Sequence, residues 1–361
     1  MIEDKEIKNF ITKKYYNQLF SKRNLNSATI EILNTCNFKC IHCYNQNLKA
    51  NYLDYSLFCN IIDQLKEMGL ENVTLTGGEP TLHKNFVEIY NYCYNKGLKV
   101  TLFTNGYYLD KYIDLLKNNK PEKVEISIYG DNNNTYLNIC KVDYAFDKVC
   151  DNIKLLKEND INVCTKSVII QQNYNEYESI LNFVTDLQLP YRIDLSILKS
   201  KDFSNDQRTT KLKNKQYYSM MNRLKEKKSD EWINCLTRES AGKIDALYSC
   251  GAGRISLFVA SNGGVRLCNF AEFSEINAKD YSIKEIWKSF EKYLNLEKDI
   301  NSKCGKCKYK KVCTNCPVTT YMEHRTDGLK LLPVKQNCRE AKYIFKSVKN
   351  DRKGKHKENL S

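Results

Sequence analysis

Several things are scarce in this sequence, and each scarcity closes off a class of protein. There are only five prolines in 361 residues, alongside 42% hydrophobic residues, which argues against a disordered chain. No apolar run approaches the roughly 18 residues that a membrane span needs. The N-terminus, MIEDKEIKNF, is charged and has no apolar signal core, so nothing in it directs the chain out of the cell and the expected compartment is the cytoplasm. Histidine is rare too, with four residues, and His83, His324 and His356 form no ligand pattern. The two tryptophans, Trp232 and Trp287, are expected to pack helices.

Cysteine is in excess. Sixteen cysteines in a reducing compartment do not suit a disulfide framework, and their clustered spacing favours metal or redox chemistry. The formal charge of +14 fits nucleic acid, acidic lipid or an acidic substrate equally well, and no interleaved basic and aromatic motif supports nucleic acid. Part of that charge sits in residues 346–361, with six Lys/Arg against two acids, where a solvated disordered tail is expected.

Between residues 28 and 198, short β-type runs alternate with helical patterns. The runs are 28–33, 72–76, 99–104, 123–129, 162–170 and 191–198. Between them, apolar residues recur at helical spacing, as at Leu57, Ile61, Leu65 and Met68, or Phe146, Val149, Ile153 and Leu156. Six such units predict parallel strands with right-handed crossovers, too few to close an eight-fold barrel. The expected fold class is therefore α/β, a partial (β/α)6 TIM-like barrel, with function at the C-terminal ends of its strands. A charged, largely helical bridge follows, and from Cys250 onward clustered cysteines and glycines predict a small hairpin domain whose core is partly metal.

The chemistry concentrates in two motifs. CNFKCIHCY places Cys36, Cys40 and Cys43 on the loop after the first strand. Three thiolates suit an iron–sulfur cluster with one iron left open, whereas structural zinc takes four ligands. TGGEP, at the end of the second strand, offers Gly77 and Gly78 for close backbone approach to a ligand and Glu79 as an acceptor for an ammonium group. Arg192 and Asp194, on the last strand, are candidates to contact cofactor or substrate. Cys59, Cys93, Cys140, Cys150 and Cys164 have no partner spacing and are expected in the core.

CxxxCxxC followed one strand later by GGEP resembles the radical S-adenosylmethionine enzymes. The resemblance implies that Cys36, Cys40 and Cys43 ligate a [4Fe–4S] cluster whose open iron is chelated by S-adenosylmethionine. His42 would take the aromatic place before the third cysteine, and Gly77, Gly78, Glu79 and Pro80 would hold the methionine end of the cofactor. It continues through TNG and ISIYG, making Asn105 and Ser127 candidate cofactor contacts. The later cysteines resemble the SPASM extension, which binds two auxiliary [4Fe–4S] clusters. By that resemblance Cys304, Cys307, Cys313 and Cys338 hold the outer cluster and Cys250, Cys268 and Cys316 the inner one. Its fourth position is either filled by Cys235 or left open for substrate. One departure is that Cys313 and Cys316 are separated by two residues where the family has three.

The implied domains are an N-terminal extension (1–27), the barrel (28–200), a helical bridge (201–245), the SPASM domain (246–345) and the basic tail (346–361). The implied activity is reductive cleavage of S-adenosylmethionine and hydrogen abstraction from a ribosomally synthesised precursor peptide, installing a thioether or carbon–carbon crosslink or another oxidation. An electron donor such as flavodoxin or ferredoxin is implied. A separate leader-peptide-binding protein is expected, because few residues precede the first strand. The alternatives are a formylglycine-forming sulfatase maturase, which usually has an acid where this chain has Asn269, or an alcohol dehydrogenase. A non-enzymatic iron–sulfur carrier would leave the GGEP turn and the barrel without a purpose.

Overall fold

A computed structural model describes residues 21–45, 48–204, 206–227 and 246–358, with side chains for all of these except 227 and 348–358. The six β-type runs form β1 (Ser27–Leu33), β2 (Asn72–Gly77), β3 (Lys99–Thr104), β4 (Lys123–Ser127), β5 (Val163–Val168) and β6 (Tyr191–Asp194). Each pairs in parallel with the next. Some strands stop short of their apolar runs for local reasons. The Asp194 carboxylate accepts from the Ser196 backbone N–H at 2.8 Å, a side-chain turn that competes with the ladder and ends β6. The Asn173 side chain likewise takes the Ile170 N–H at 2.8 Å.

The crossovers carry α1 (Tyr55–Glu67), α2 (Phe86–Asn95), α3 (Ile113–Asn118), α4 (Asn133–Cys140), α5 (Ala145–Glu158) and α6 (Tyr177–Asp186). In α1, Asp54 caps the first turn by accepting from the Leu57 N–H at 3.1 Å, and Phe58, Ile61, Ile62 and Leu65 are buried against the sheet. Each such side chain contributes roughly 1.5–3 kcal/mol by leaving water. The apolar spacing thus locates the helix, although its inward stripe is centred one position beyond Leu57.

The C-terminal part comprises α7 (Asn214–Lys227), β7 (Ser256–Val259), β8 (Gly264–Arg266), β9 (Ile276–Asn277), α8 (Ile283–Ser289), α9 (Glu291–Leu294), α10 (Pro317–His324) and α11 (Lys335–Glu358). The hairpin expected here exists, with β8 antiparallel to both β7 and β9. It is not a separate layer. β7 pairs in parallel with β1, Thr29 opposite Phe258, giving one nine-stranded sheet in the order β6-β5-β4-β3-β2-β1-β7-β8-β9. An apolar first strand would otherwise leave an unpaired edge, and β7 covers it. A second difference concerns the tail: the backbone from 346 to 358 continues α11 rather than forming a disordered end. Among the described residues, no helix is long and apolar enough to cross a membrane. Trp232 and Cys235 lie outside the described residues, while Trp287 is buried and meets Phe290 edge to face.

Candidate active site

The loop after β1 brings Cys36, Cys40 and Cys43 to the C-terminal end of the sheet. Two backbone bonds fasten it to the end of α4: Lys39 N–H to Cys140 O at 2.8 Å and Ile41 N–H to Ile139 O at 2.9 Å. Sulfur acceptors close the local turns, Cys36 Sγ taking the Phe38 N–H at 3.3 Å and Cys43 Sγ the Asn45 N–H at 3.4 Å. Burial pushes the Cys36 thiol up to about 12, with Cys40 and Cys43 adding to the shift. Burial likewise pushes Cys43 up to about 11, with Cys40 adding. Cys40 is raised first by a hydrogen bond with Cys140 and then by burial. Cys140 is fully buried, as expected of a core residue, yet its thiol meets the cysteine loop, a contact that spacing along the chain could not reveal.

This donor set fits an iron–sulfur cluster. Three free thiols on one loop, each costly to ionise when buried alone, become thiolates when a metal centre supplies the balancing charge. Among the described residues, no three His, Cys, Asp or Glu converge on a single-ion site. A cluster, with ligands spread over several irons, requires less convergence than one zinc ion.

The TGGEP turn differs from its expected role. A Cβ on Gly78 would stand 2.1 Å from Thr35 O, and one on Gly77 2.5 Å from Leu33 O. These glycines permit close approach to the end of β1 and to the start of the cysteine loop. Gly78 N–H donates to Leu33 O and Glu79 N–H to Thr35 O, both at 2.9 Å. The carboxylate of Glu79 is 0% exposed and fully engaged. Its Oε1 accepts from Thr81 Oγ1 at 2.6 Å, Thr104 Oγ1 at 2.7 Å and Thr81 N–H at 3.2 Å. Its Oε2 accepts from Asn105 N–H at 2.7 Å. With these four bonds Glu79 locks the ends of β2 and β3 together. Pro80 is buried and opens a short 3-10 turn.

Asn105 is also turned toward the loop, donating from Nδ2 to Asn37 Oδ1 at 2.8 Å and toward Cys36 Sγ at 3.7 Å. His42 packs against Tyr129 with ring centroids 5.0 Å apart. Burial pushes its imidazole down to about 4, and its Nδ1 is buried without a hydrogen-bond partner. Ser127 ends β4 and hydrogen-bonds Tyr129, which also bonds Cys40. Tyr129 thus joins the site without having been singled out, although it lies in the ISIYG run. Asp194 pairs with Lys166 on the adjacent strand β5 at 3.8 Å, and Arg192 reaches past β5 to Glu125 on β4 at 2.6 Å, so both charges have partners within the sheet.

The later cysteines separate into two groups. Cys250, Cys268 and Cys316 lie within electrostatic reach of one another, and burial raises Cys268 to about 12. Cys304, Cys307, Cys313 and Cys338 form the other group. The short step from Cys313 to Cys316 therefore spans two groups. Cys316 N-caps α10, accepting from the Thr319 N–H at 3.5 Å, while Cys313 closes the short 3-10 turn before it. A cavity of about 110 Å³ lies between α10 and the segment after β6, with Lys199, Lys211 and Glu323 in its lining.

Residues 30–184 match the family model described as the Radical SAM superfamily. Those residues form a radical SAM domain. The superfamily's members are enzymes, and residues 250–317 match a second model, SPASM, an iron–sulfur cluster-binding domain. S-adenosylmethionine and iron–sulfur clusters are the cofactors of these two domains. The AdoMet-dependent heme synthase of Methanosarcina barkeri is 24% identical over 81% of this chain and 90% of its own length. Two solved structures share the fold. Native anSMEcpe with bound AdoMet and Kp18Cys peptide is 18% identical, covers 91% of this chain and 99% of its own, and superposes with a TM-score of 0.70. Streptococcus suis SuiB bound to precursor peptide SuiA is 17% identical, covers 88% and 78%, and has a TM-score of 0.66.

Proposed function

We propose that this radical SAM chain is a peptide maturase that abstracts a hydrogen atom from a ribosomally made peptide and oxidises it to a crosslinked or otherwise modified product. The observation that carries this reading is the separation of ten cysteines into sets of three, three and four. The first set, Cys36, Cys40 and Cys43, would hold a cluster with one open iron. Cys304, Cys307, Cys313 and Cys338 would complete the shell of an outer cluster. Cys250, Cys268 and Cys316 would hold an inner one whose fourth position is open to substrate. When bound, the first cluster and S-adenosylmethionine supply an electron and a 5′-deoxyadenosyl radical. The chain's own part is positional: the Glu79 lock fixes two strand ends beside the half-buried cysteine loop.

That the substrate is a peptide is supported by the fold shared with SuiB and anSMEcpe, whose structures hold peptides. A tetrapyrrole substrate is the second reading, favoured by the heme synthase relative that matches over most of its length. Anaerobically reconstituted protein should carry about twelve irons and release 5′-deoxyadenosine with reductant. A peptide encoded beside this reading frame should lose two mass units with enzyme and cofactor. About four irons would refute the auxiliary clusters, and turnover of a porphyrin with no change in any such peptide would refute the maturase.

A further inference from the structure

A buried ion pair between Glu31 and Lys201 stands outside every cysteine motif. Side chains alternate along β1, so Glu31 points away from the face of Ile30 and Ile32. Glu31 is 5% exposed and Lys201 4%. Lys201 Nζ lies 3.6 Å from Glu31 Oε2 and donates to Asn269 Oδ1 at 2.6 Å. The Lys201 backbone N–H donates to Tyr44 O at 2.8 Å, and its ammonium stands 5.3 Å from the centre of the Tyr44 ring. Asn269 Nδ2 closes the circuit by donating to the Tyr44 hydroxyl at 3.0 Å. Glu31 Oε1 accepts from Ser261 Oγ at 2.9 Å.

Tyr44 directly follows Cys43, and Asn269 directly follows Cys268. One ammonium therefore touches both the loop of the first cysteine set and the loop of the inner set. The charge of Lys201 also reaches Cys43, where it opposes the effect of burial. A buried pair is a poor device for stability, since apolar residues of similar volume often serve as well or better. A fixed charge in a medium of low polarity does act strongly on neighbouring redox centres.

We propose that Lys201 and Glu31 are positioning residues that tune, with opposite sign, the reduction potentials of the iron–sulfur clusters held by the loops on either side of them. The inference rests on the reading of these cysteines as cluster ligands. Reduction adds one electron and hence one negative charge to a cluster. The Lys201 ammonium stabilises that reduced form and raises the potential, and the Glu31 carboxylate lowers it. Asn269, held between Lys201 and Tyr44, couples the two loops sterically and contributes no charge of its own.

The test is potentiometric titration of anaerobically reconstituted protein, followed by electron paramagnetic resonance, for wild type, K201M, K201R, E31Q and the E31Q/K201M double variant. Wild-type iron content and cluster signals come first: their absence refutes the ligand reading, whereas normal loading leaves the potentials to judge the tuning. K201M should lower at least one cluster midpoint, E31Q should raise it, K201R should keep it near wild type, and the double variant should shift less than the larger of the two singles. Unshifted midpoints, or shifts of the same sign in K201M and E31Q at wild-type iron content, would overturn the proposal. If K201M does not load iron, E31Q decides alone, and an unchanged midpoint there refutes the tuning.

Discussion

Replacing Glu79 separates a carboxylate that holds the fold from one that only meets the cofactor. In the structure its two oxygens take four hydrogen bonds from Thr81, Thr104 and Asn105 with no exposure to water. In Glu79→Gln the amide oxygen serves the three donors on the Oε1 side, and its NH2 then faces the Asn105 N–H, donor against donor. One charge-assisted bond is lost and three are weakened, about 2–3 kcal/mol in sum. Glu79→Ala strands all four donors, and removal of a buried charge offsets part of that loss, leaving roughly 3–5 kcal/mol. The assay is urea unfolding of metal-free protein without S-adenosylmethionine, under reducing conditions, with wild type and Thr104→Val as references. The expected order of midpoints is wild type, then Gln, then Ala. Metal-free variants as stable as wild type, with only cofactor binding impaired, would refute the lock and restore the direct contact.

Gly78→Ala forces a methyl group to within 2.1 Å of Thr35 O, backbone that cannot swing aside. It should destabilise the protein by roughly 1–3 kcal/mol and reduce iron loading of the first cluster, read by denaturation and iron analysis; full loading at wild-type stability would count against the close contact. Cys307→Ser and Cys268→Ser should each remove about four irons and spare the first cluster's resonance signal, while Cys40→Ser should do the reverse. Burial pushes Lys211 down from 10.5 to about 8. Because the native value lies below the unfolded one, the stability associated with this group is full above about 10.5 and declines as pH falls from there toward about 8. Near pH 8 the native amine is already about half neutral, so limiting anhydride should acylate Lys211 before the exposed Lys279. Peptide mass spectrometry reads the order, and equal labelling would refute the shift.

What the sequence determined by itself is whatever depends on spacing along the chain. A period of two and a period near 3.6 located the six parallel strands and their helices, because burial on one face is a local pattern. CxxxCxxC grouped Cys36, Cys40 and Cys43 for the same reason: the three thiols lie on one short loop. Tertiary structure decided what meets across long separations. It joined β7 of the expected hairpin domain to β1, and it placed the Cys140 thiol, at the end of α4, against Cys40 on the loop after β1. It turned Glu79 inward, onto Thr104 and Asn105 some 25 residues away, where the motif alone suggested a cofactor contact. It brought Lys201 to Glu31 and to both cysteine loops. None of these contacts carries a local signature, because a buried charge or thiol is marked by its partners, and only the folded chain supplies them.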